Sequence, residues 1–342
     1  METLKQLLKD VWNDRHELKT PMFFRSPFKH LWYRLQWHVR PFLKNPGLKP
    51  LAVDVELAKS CNFRCTMCQQ STNWWNKEKV TVEQSLMDWD MFTEVVNQCV
   101  KLGVYSMKVN WRGEPMMNPN LASYIRYMKS AGIHEVQMNT NASYITKENS
   151  KEIIESGLDR IIFSCDGLSK ETYNTIRVGG DFDRFMKNIR TFYDVRWAYK
   201  KLGYNVPVIR INMSIQDSNK HEIPIARKFF ADLADEVRIN TVYSPNGEKD
   251  EKRKVKRQGC PQIYQRLIVS SEGDQIPCCV DFRKRLNMGN VKKISLQETY
   301  VGRVQAIRRK HELHEGRNLE GCANCDNFSL SQKTESGEIV WT

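Results

Sequence analysis

An α/β fold with parallel strands is predicted by three features of this 342-residue chain. From about residue 50 a short β-rich run, a loop and an amphipathic helix recur in that order. Glycines fall where the helices should stop, and the strand–helix spacing is long enough for right-handed crossovers, in an open sheet or a barrel. Candidate strands occupy 51–58, 105–110, 134–139, 160–165, 207–215 and 236–242. Helices are expected near 88–102, 119–131, 147–156, 182–201 and 219–234. Asn118 before Pro119 reads as an N-cap with proline at the first helical position, and Gly103, Gly132 and Gly157 stand where left-handed C-terminal glycines belong.

The flanks depart from this alternation. Residues 1–48 form a helical extension with a stripe of Phe28, Trp32, Leu35, Val39 and Phe42, interleaved with Arg25, Lys29, Arg34, Arg40 and Lys44. Such a stripe suits peripheral contact with a membrane, but docking on the chain's own domain is the preferred expectation, because Pro41 should break a long surface helix. At the other end, the run Lys249-Asp-Glu-Lys-Arg-Lys-Val-Lys-Arg257 reads as a linker into a cysteine-rich segment. The expected domains are 1–48, 49–248 and 249–342.

Composition bounds the function. With 40% hydrophobic residues at 40.2 kDa, the chain can build a large domain and a smaller one. No apolar run reaches the roughly 18 residues of a membrane span, and the start lacks a secretory pattern, so a cytoplasmic protein with reduced thiols is expected. The net charge of +13 suits a nucleic acid, an acidic surface or a phosphorylated substrate, or merely a solvated basic face.

The most telling stretch is Lys59-Ser-Cys-Asn-Phe-Arg-Cys-Thr-Met-Cys68, just past the first strand. Three thiolates on one loop, Cys61, Cys65 and Cys68, can hold three irons of a [4Fe–4S] cube and leave the fourth iron open. Structural zinc usually takes four ligands as two pairs, and no histidine lies nearby, so zinc fits less well. A non-catalytic protein with structural zinc sites is nevertheless the alternative of a different class. Cys99 and Cys165 fall within a helix and a strand and read as buried apolar thiols, while His134, His311 and His314 have no ligand spacing.

These residues resemble the radical S-adenosylmethionine (SAM) superfamily, and the C-terminal part is similar to its SPASM/twitch subgroup. The resemblance covers roughly residues 50–330 and implies a partial (β/α)6 barrel whose cluster loop follows the first strand. Gly113-Glu114-Pro115 resembles the family's G-G-E-P segment, with Arg112 in place of the first glycine. That match implies that Glu114 binds the SAM ammonium. Thr140-Asn141, Ser164-x-Asp166-Gly167 and Ile176-Arg177 look like the T-N-G, S-x-D-G and I-R segments. By the same resemblance Asn141, Ser164 and Arg177 lie near SAM, the latter two at its carboxylate or ribose, and the backbone of Met67 approaches the adenine.

Cys260, Cys278, Cys322 and Cys325 resemble the ligand set of one auxiliary [4Fe–4S] cluster in a twitch domain, with a β-hairpin at 264–278 and a helix near 295–311. Cys279 neighbours Cys278 on a predicted strand, where adjacent side chains face opposite ways, so one of the two is the ligand; family spacing selects Cys278. The resemblance implies an external one-electron donor such as flavodoxin or ferredoxin, reductive cleavage of SAM to a 5′-deoxyadenosyl radical, and hydrogen abstraction from substrate. A small polar or sugar-like substrate, oxidised with help from the auxiliary cluster, ranks first. A nucleotide or nucleic-acid base, approached by Lys252, Arg253, Lys254, Lys256 and Arg257, ranks second, and a peptide third.

Overall fold

The computed structural model describes residues 2–68, 86–241 and 260–322, with two short strands at Gln332–Lys333 and Ile339–Val340. The basic run 249–257 and Cys325 lie outside the described residues.

Six parallel strands stand side by side in chain order: β1 (Ala52–Val55), β2 (Ser106–Lys108), β3 (Glu135–Thr140), β4 (Arg160–Ser164), β5 (Val208–Ile215) and β6 (Glu236–Thr241). This is the partial (β/α)6 arrangement that the family resemblance implies, and it bears out the parallel strands expected from the alternation. Beyond β1 the sheet continues with β7 (Arg266–Val269), parallel to it, and β8 (Gln275–Ile276), antiparallel to β7. The expected hairpin therefore exists and extends the barrel sheet.

Each strand presents one apolar and one polar face. Val53, Val55, Met107, Val136, Met138, Ile161, Phe163, Ile209 and Ile211 join one core with Phe92, Ile125, Ile153 and Phe192 of the helices. Residues at the alternate positions, among them Asp54, Lys108, Asn139, Arg160, Arg210 and Asn212, share the inner face by the period-2 rule. An apolar outside and polar inside suit a barrel that receives a charged ligand.

Helix boundaries follow local chemistry. Asp88 caps α4 (Trp89–Leu102) through Asp90 and Met91 N–H, and Gly103 ends it at φ +66°. Thr146 and Asn149 form a reciprocal cap on α6 (Lys147–Glu155), and Asp181 caps α8 (Phe182–Lys201). The helix expected from 119 begins later, as α5 (Leu121–Ala131), because Asn118 is used in a turn whose side chain accepts from Asn120 N–H. The helix expected at 219–234 is reduced to the turn Ile223–Ile225 and α9 (Ala226–Phe229), since Pro224 interrupts it and Glu222 reaches away to Leu168 N–H and Ser169. A helix that the periodicity does not reveal, α7 (Lys170–Ile176), is capped by Ser169. Near 295–311 the expected helix runs as Leu296–Glu298, a π-turn Thr299–Arg303, and Val304–Glu312.

The extension comprises α1 (Glu2–Asn13), α2 (Pro21–Arg25) and α3 (Pro27–Phe42) and floors the barrel at the N-terminal ends of the strands. Between α1 and α2, Glu17 accepts from Arg160 at 2.6 Å and lies 3.4 Å from Arg210 and 3.3 Å from Arg238. Tyr33 stacks on Tyr105, with centroids 4.2 Å apart, and His30 Nδ1 lies 2.9 Å from the Tyr105 hydroxyl. Pro41 lies in the last turn of α3; lacking an N–H, it leaves the Trp37 carbonyl to accept from Gln265 Nε2 at 2.8 Å. The docking face differs from the one expected: Phe28, Trp32, Leu35 and Phe42 are exposed, because His30 and Tyr33 turn to the barrel floor and pack on Tyr105 there.

Candidate active site

The cluster loop leaves β1 and is fixed by backbone bonds on two sides. Arg64 N–H donates to Val178 O at 2.7 Å and Thr66 N–H to Ile176 O at 2.9 Å, while Ser60 O accepts from Glu114 N–H at 2.8 Å. Gly113 permits this last approach, because a Cβ there would sit 2.2 Å from Ala58 O and 2.3 Å from Ser60 O. The three-cysteine loop and the G-E-P segment are thus one packed unit.

Cys65 is buried, and Cys61 and Cys68 are half-buried. Burial, foremost, and then the Glu114 carboxylate push the Cys61 thiol up to about 12; Cys65 and Cys68 add to the effect. Phe63 N–H lies 3.5 Å from Cys61 Sγ, Asn141 Nδ2 3.9 Å from the same sulfur, and Arg177 Nη1 3.9 Å from Cys65 Sγ. Donors around crowded sulfurs suit thiolates that exchange their protons for iron. Among the described residues, no group of three His, Cys, Asp or Glu side chains is drawn together as the ligands of a single metal ion.

The matched segments gather around this loop. Glu114 is buried and accepts from Thr140 Oγ1 and Asn141 N–H, each at 2.7 Å, and from Met116 N–H at 3.1 Å. Burial, which outweighs these bonds, raises its carboxyl to about 7. The residue after Asn141, a glycine in T-N-G, is here Ala142 and keeps the left-handed backbone at φ +63°. Arg177 pairs with Asp166 at 2.5 Å, and Asp166 also accepts from Ser214 N–H. Ser164 ends β4 opposite Asn212. Met67 is half-buried on the cluster loop. Buried polar atoms without a partner, Asn139 Oδ1 and Asn212 Oδ1 on the inner strand positions and Gln216 Nε2 just past β5, offer bonds that a polar ligand would complete.

Contacts that the motif reading does not predict join the C-terminal region to this mouth. Arg112 makes a two-pronged ion pair with Glu56, both bonds 2.7 Å, and its guanidinium lies over the Trp111 ring at 4.4 Å. Glu56 also accepts from Ser271 N–H, and Lys59 pairs with Glu272 at 2.8 Å. Trp111 Nε1 donates to Cys279 O at 2.8 Å, and its ring stacks on Phe282. Asp54 in β1 and Glu56 just past its end, alternating with apolar residues, are the sequence signal for an inward polar row.

Cys260, Cys278 and Cys322 are buried. The strand expected to carry Cys278 and Cys279 ends earlier, at Ile276, because Pro277 has no N–H to continue the ladder, so both cysteines sit in the turn that follows. Cys278 Sγ lies 3.4 Å from Val280 N–H, and Cys279 lies near Asp54, Lys108 and Arg266. Cys99 and Cys165 are fully buried, the latter with its Sγ 3.1 Å from Gly167 O. His311 is buried and His134 packs on Tyr105.

Comparison with known proteins agrees with this geometry. Residues 55–210 match the model of the radical SAM superfamily, and residues 260–326 match SPASM, an iron–sulfur cluster-binding domain. Curated relatives include GTP 3′,8-cyclase of Limosilactobacillus fermentum, 26% identical over 46% of each chain. A probable GTP 3′,8-cyclase of Saccharolobus solfataricus is 28% identical over 44% of this chain and 46% of its own length. The chain spans about half the length of the curated relatives it matches. Among solved structures, BtrN in complex with AdoMet and 2-DOIA is similar in fold: TM-score 0.55, 17% identity, 84% of this chain and 98% of that one. Streptococcus suis SuiB bound to S-adenosylmethionine has a TM-score of 0.60 at 16% identity, over 83% of this chain and 73% of that one.

Proposed function

We propose, for a chain that belongs to the radical SAM superfamily and carries a SPASM-type iron–sulfur domain, that it oxidises a C–H bond of a small polar, hydroxyl-bearing substrate. Cys61, Cys65 and Cys68 would hold the SAM-binding cluster; Cys260, Cys278, Cys322 and Cys325 would hold one auxiliary cluster. Its units are the floor at 1–48, the barrel at 49–248 and the auxiliary domain at 249–342. When bound, the first cluster supplies an electron that cleaves SAM to a hydrogen-abstracting adenosyl radical, and the second supplies an acceptor for the electron left on the substrate.

The protein's own residues orient and enclose. Glu114, held by Thr140 and Asn141, presents its remaining lone pair to an ammonium group. Arg177 and Asn141 donate toward the cysteine sulfurs, Ser164 offers a hydroxyl at the strand ends, and Met67 places the loop backbone beside the adenine. The observation that carries the oxidation reading is the bond from Trp111 Nε1 to Cys279 O: it fastens the auxiliary cysteine loop to the residues immediately before Gly113-Glu114. Cys278, whose Sγ lies 3.4 Å from Val280 N–H in the turn after β8, is the auxiliary ligand in this reading.

A nucleotide substrate is the second reading, favoured by the names of the curated relatives and the net charge of +13. Deuterated polyols, amino sugars and GTP, each incubated with SAM and a reductant, separate the two. Deuterium entering 5′-deoxyadenosine from a polyol or amino sugar supports the first; label from GTP alone replaces it with the second.

A further inference from the structure

Docking of the N-terminal extension leaves its most apolar face uncovered. Helix α3 turns His30 and Tyr33 to the floor, so Phe28, Leu31, Trp32 and Leu35, spaced i, i+3, i+4 and i+7, point to solvent. Phe28 is 87% exposed and Trp32 62%. Helices α1 and α2 both pack on α3 and bring further apolar groups: Trp12 is 65% exposed and Phe24 71%, with Leu8 beside Trp12 on α1. Scattered exposed hydrophobes are ordinary, but this many on three adjoining helices mark an interaction surface.

Charge identifies what covers it. Residues 1–48 hold nine Lys and Arg against four Asp and Glu. Two of those acids are turned inward: Asp14 pairs with Arg34 and His38, and Glu17 with Arg160. Lys5, Lys9, Arg15, Lys19 and Lys29 are exposed. A second copy would set this positive charge against itself. Aromatic rings among lysines and arginines instead match the headgroup layer of an anionic bilayer, where rings enter the interface and cations meet lipid phosphates.

We propose that the face formed by Leu8, Trp12, Phe24, Phe28, Trp32 and Leu35, with its flanking lysines, seats the protein on an anionic lipid bilayer. The extension floors the N-terminal ends of the strands, whereas the cysteine loop follows β1 at the opposite ends. Seated this way, the mouth faces water and remains open to SAM, reductant and substrate. The membrane alternative weighed for the stripe becomes the better reading once the apolar side is found outward.

Flotation of the full chain, purified anaerobically, tests this with vesicles of phosphatidylcholine and of an equal phosphatidylcholine–phosphatidylglycerol mixture. The expected result is partition onto the mixed vesicles, a blue shift of tryptophan emission, and weakening by salt. The double variant Phe28→Ser, Trp32→Ser should bind about tenfold or more weakly, with iron content and thermal midpoint retained because both positions are exposed. Lys9→Glu with Lys29→Glu should also weaken binding. Absence of partition by the wild type, equal partition of wild type and both variants, or equal binding to pure phosphatidylcholine would overturn the proposal. So would a dimer in sedimentation velocity that the Phe28 and Trp32 variant dissolves, which assigns the face to a second copy.

Discussion

Burial raises the Glu114 carboxyl to about 7 from an ordinary 4.5, so the folded protein without ligand binds a proton there that the unfolded chain has released. The sign follows from linkage: between those values the folded state holds more protons, and stability falls as pH rises through about 7. The loss is on the order of 3 kcal/mol. Glu114→Gln, neutral at every pH, should show a smaller fall in thermal midpoint between pH 5 and 8 than the wild type; parallel profiles would reject the raised pKa. Gly113 makes a second demand. Its alanine variant must push a methyl group into the Ala58 and Ser60 carbonyls, at about 1–3 kcal/mol or more, and should lose SAM cleavage with the displaced loop. An active, equally stable Gly113→Ala protein would show that the two loops need not touch. The motif spacing singled out Glu114 and Gly113, but nothing in it predicted that Thr140 and Asn141 would saturate most of the carboxylate. That depends on β3 ending beside the segment after β2, a contact fixed by tertiary register.

At the scale of elements, the strand runs were legible because period-2 burial leaves a clear pattern, and the helix ends because Gly103 and Gly132 stop α4 and α5, whereas the start read at Asn118 is a turn before α5. The region 219–234 failed as a helix through Pro224 and the outward reach of Glu222, and α7 was missed because seven residues are too few for a periodic signal. The extension shows the ambiguity most clearly. Its apolar stripe was visible, yet which face docks was decided by Tyr33, His30 and Glu17, whose partners come from strands more than seventy residues away. A contrast between two variants checks this. Glu17→Ala removes the nearest acid from Arg160, leaving it Glu135 and the Glu236 that Arg210 also uses, and should cost about 1–3 kcal/mol, whereas Phe28→Ala should change stability by no more than about 0.5 kcal/mol. Equal thermal midpoints for the two variants would mean that the floor is assigned to the wrong face.

Across the whole molecule, the parallel sheet runs into the C-terminal region through β7, and the turn after β8 meets Trp111 beside the Gly113-Glu114 segment. The ion pairs Arg112–Glu56 and Lys59–Glu272 and the Trp111–Cys279 bond hold that join. None of these three contacts was legible in advance, since each pairs residues from distant parts of the chain. Replacing Cys322 and Cys325 with alanine should remove about four irons of about eight, and Cys279→Ala should retain them; the opposite pattern for Cys279 would exchange it with Cys278 as ligand. The most direct test of the central claim measures 5′-deoxyadenosine from SAM and a reductant in the wild type and in a variant with Cys61, Cys65 and Cys68 all changed to alanine. The wild type should form it, and the variant should form none while keeping about four irons; 5′-deoxyadenosine production by the variant would contradict the assignment of this loop as the site of SAM cleavage.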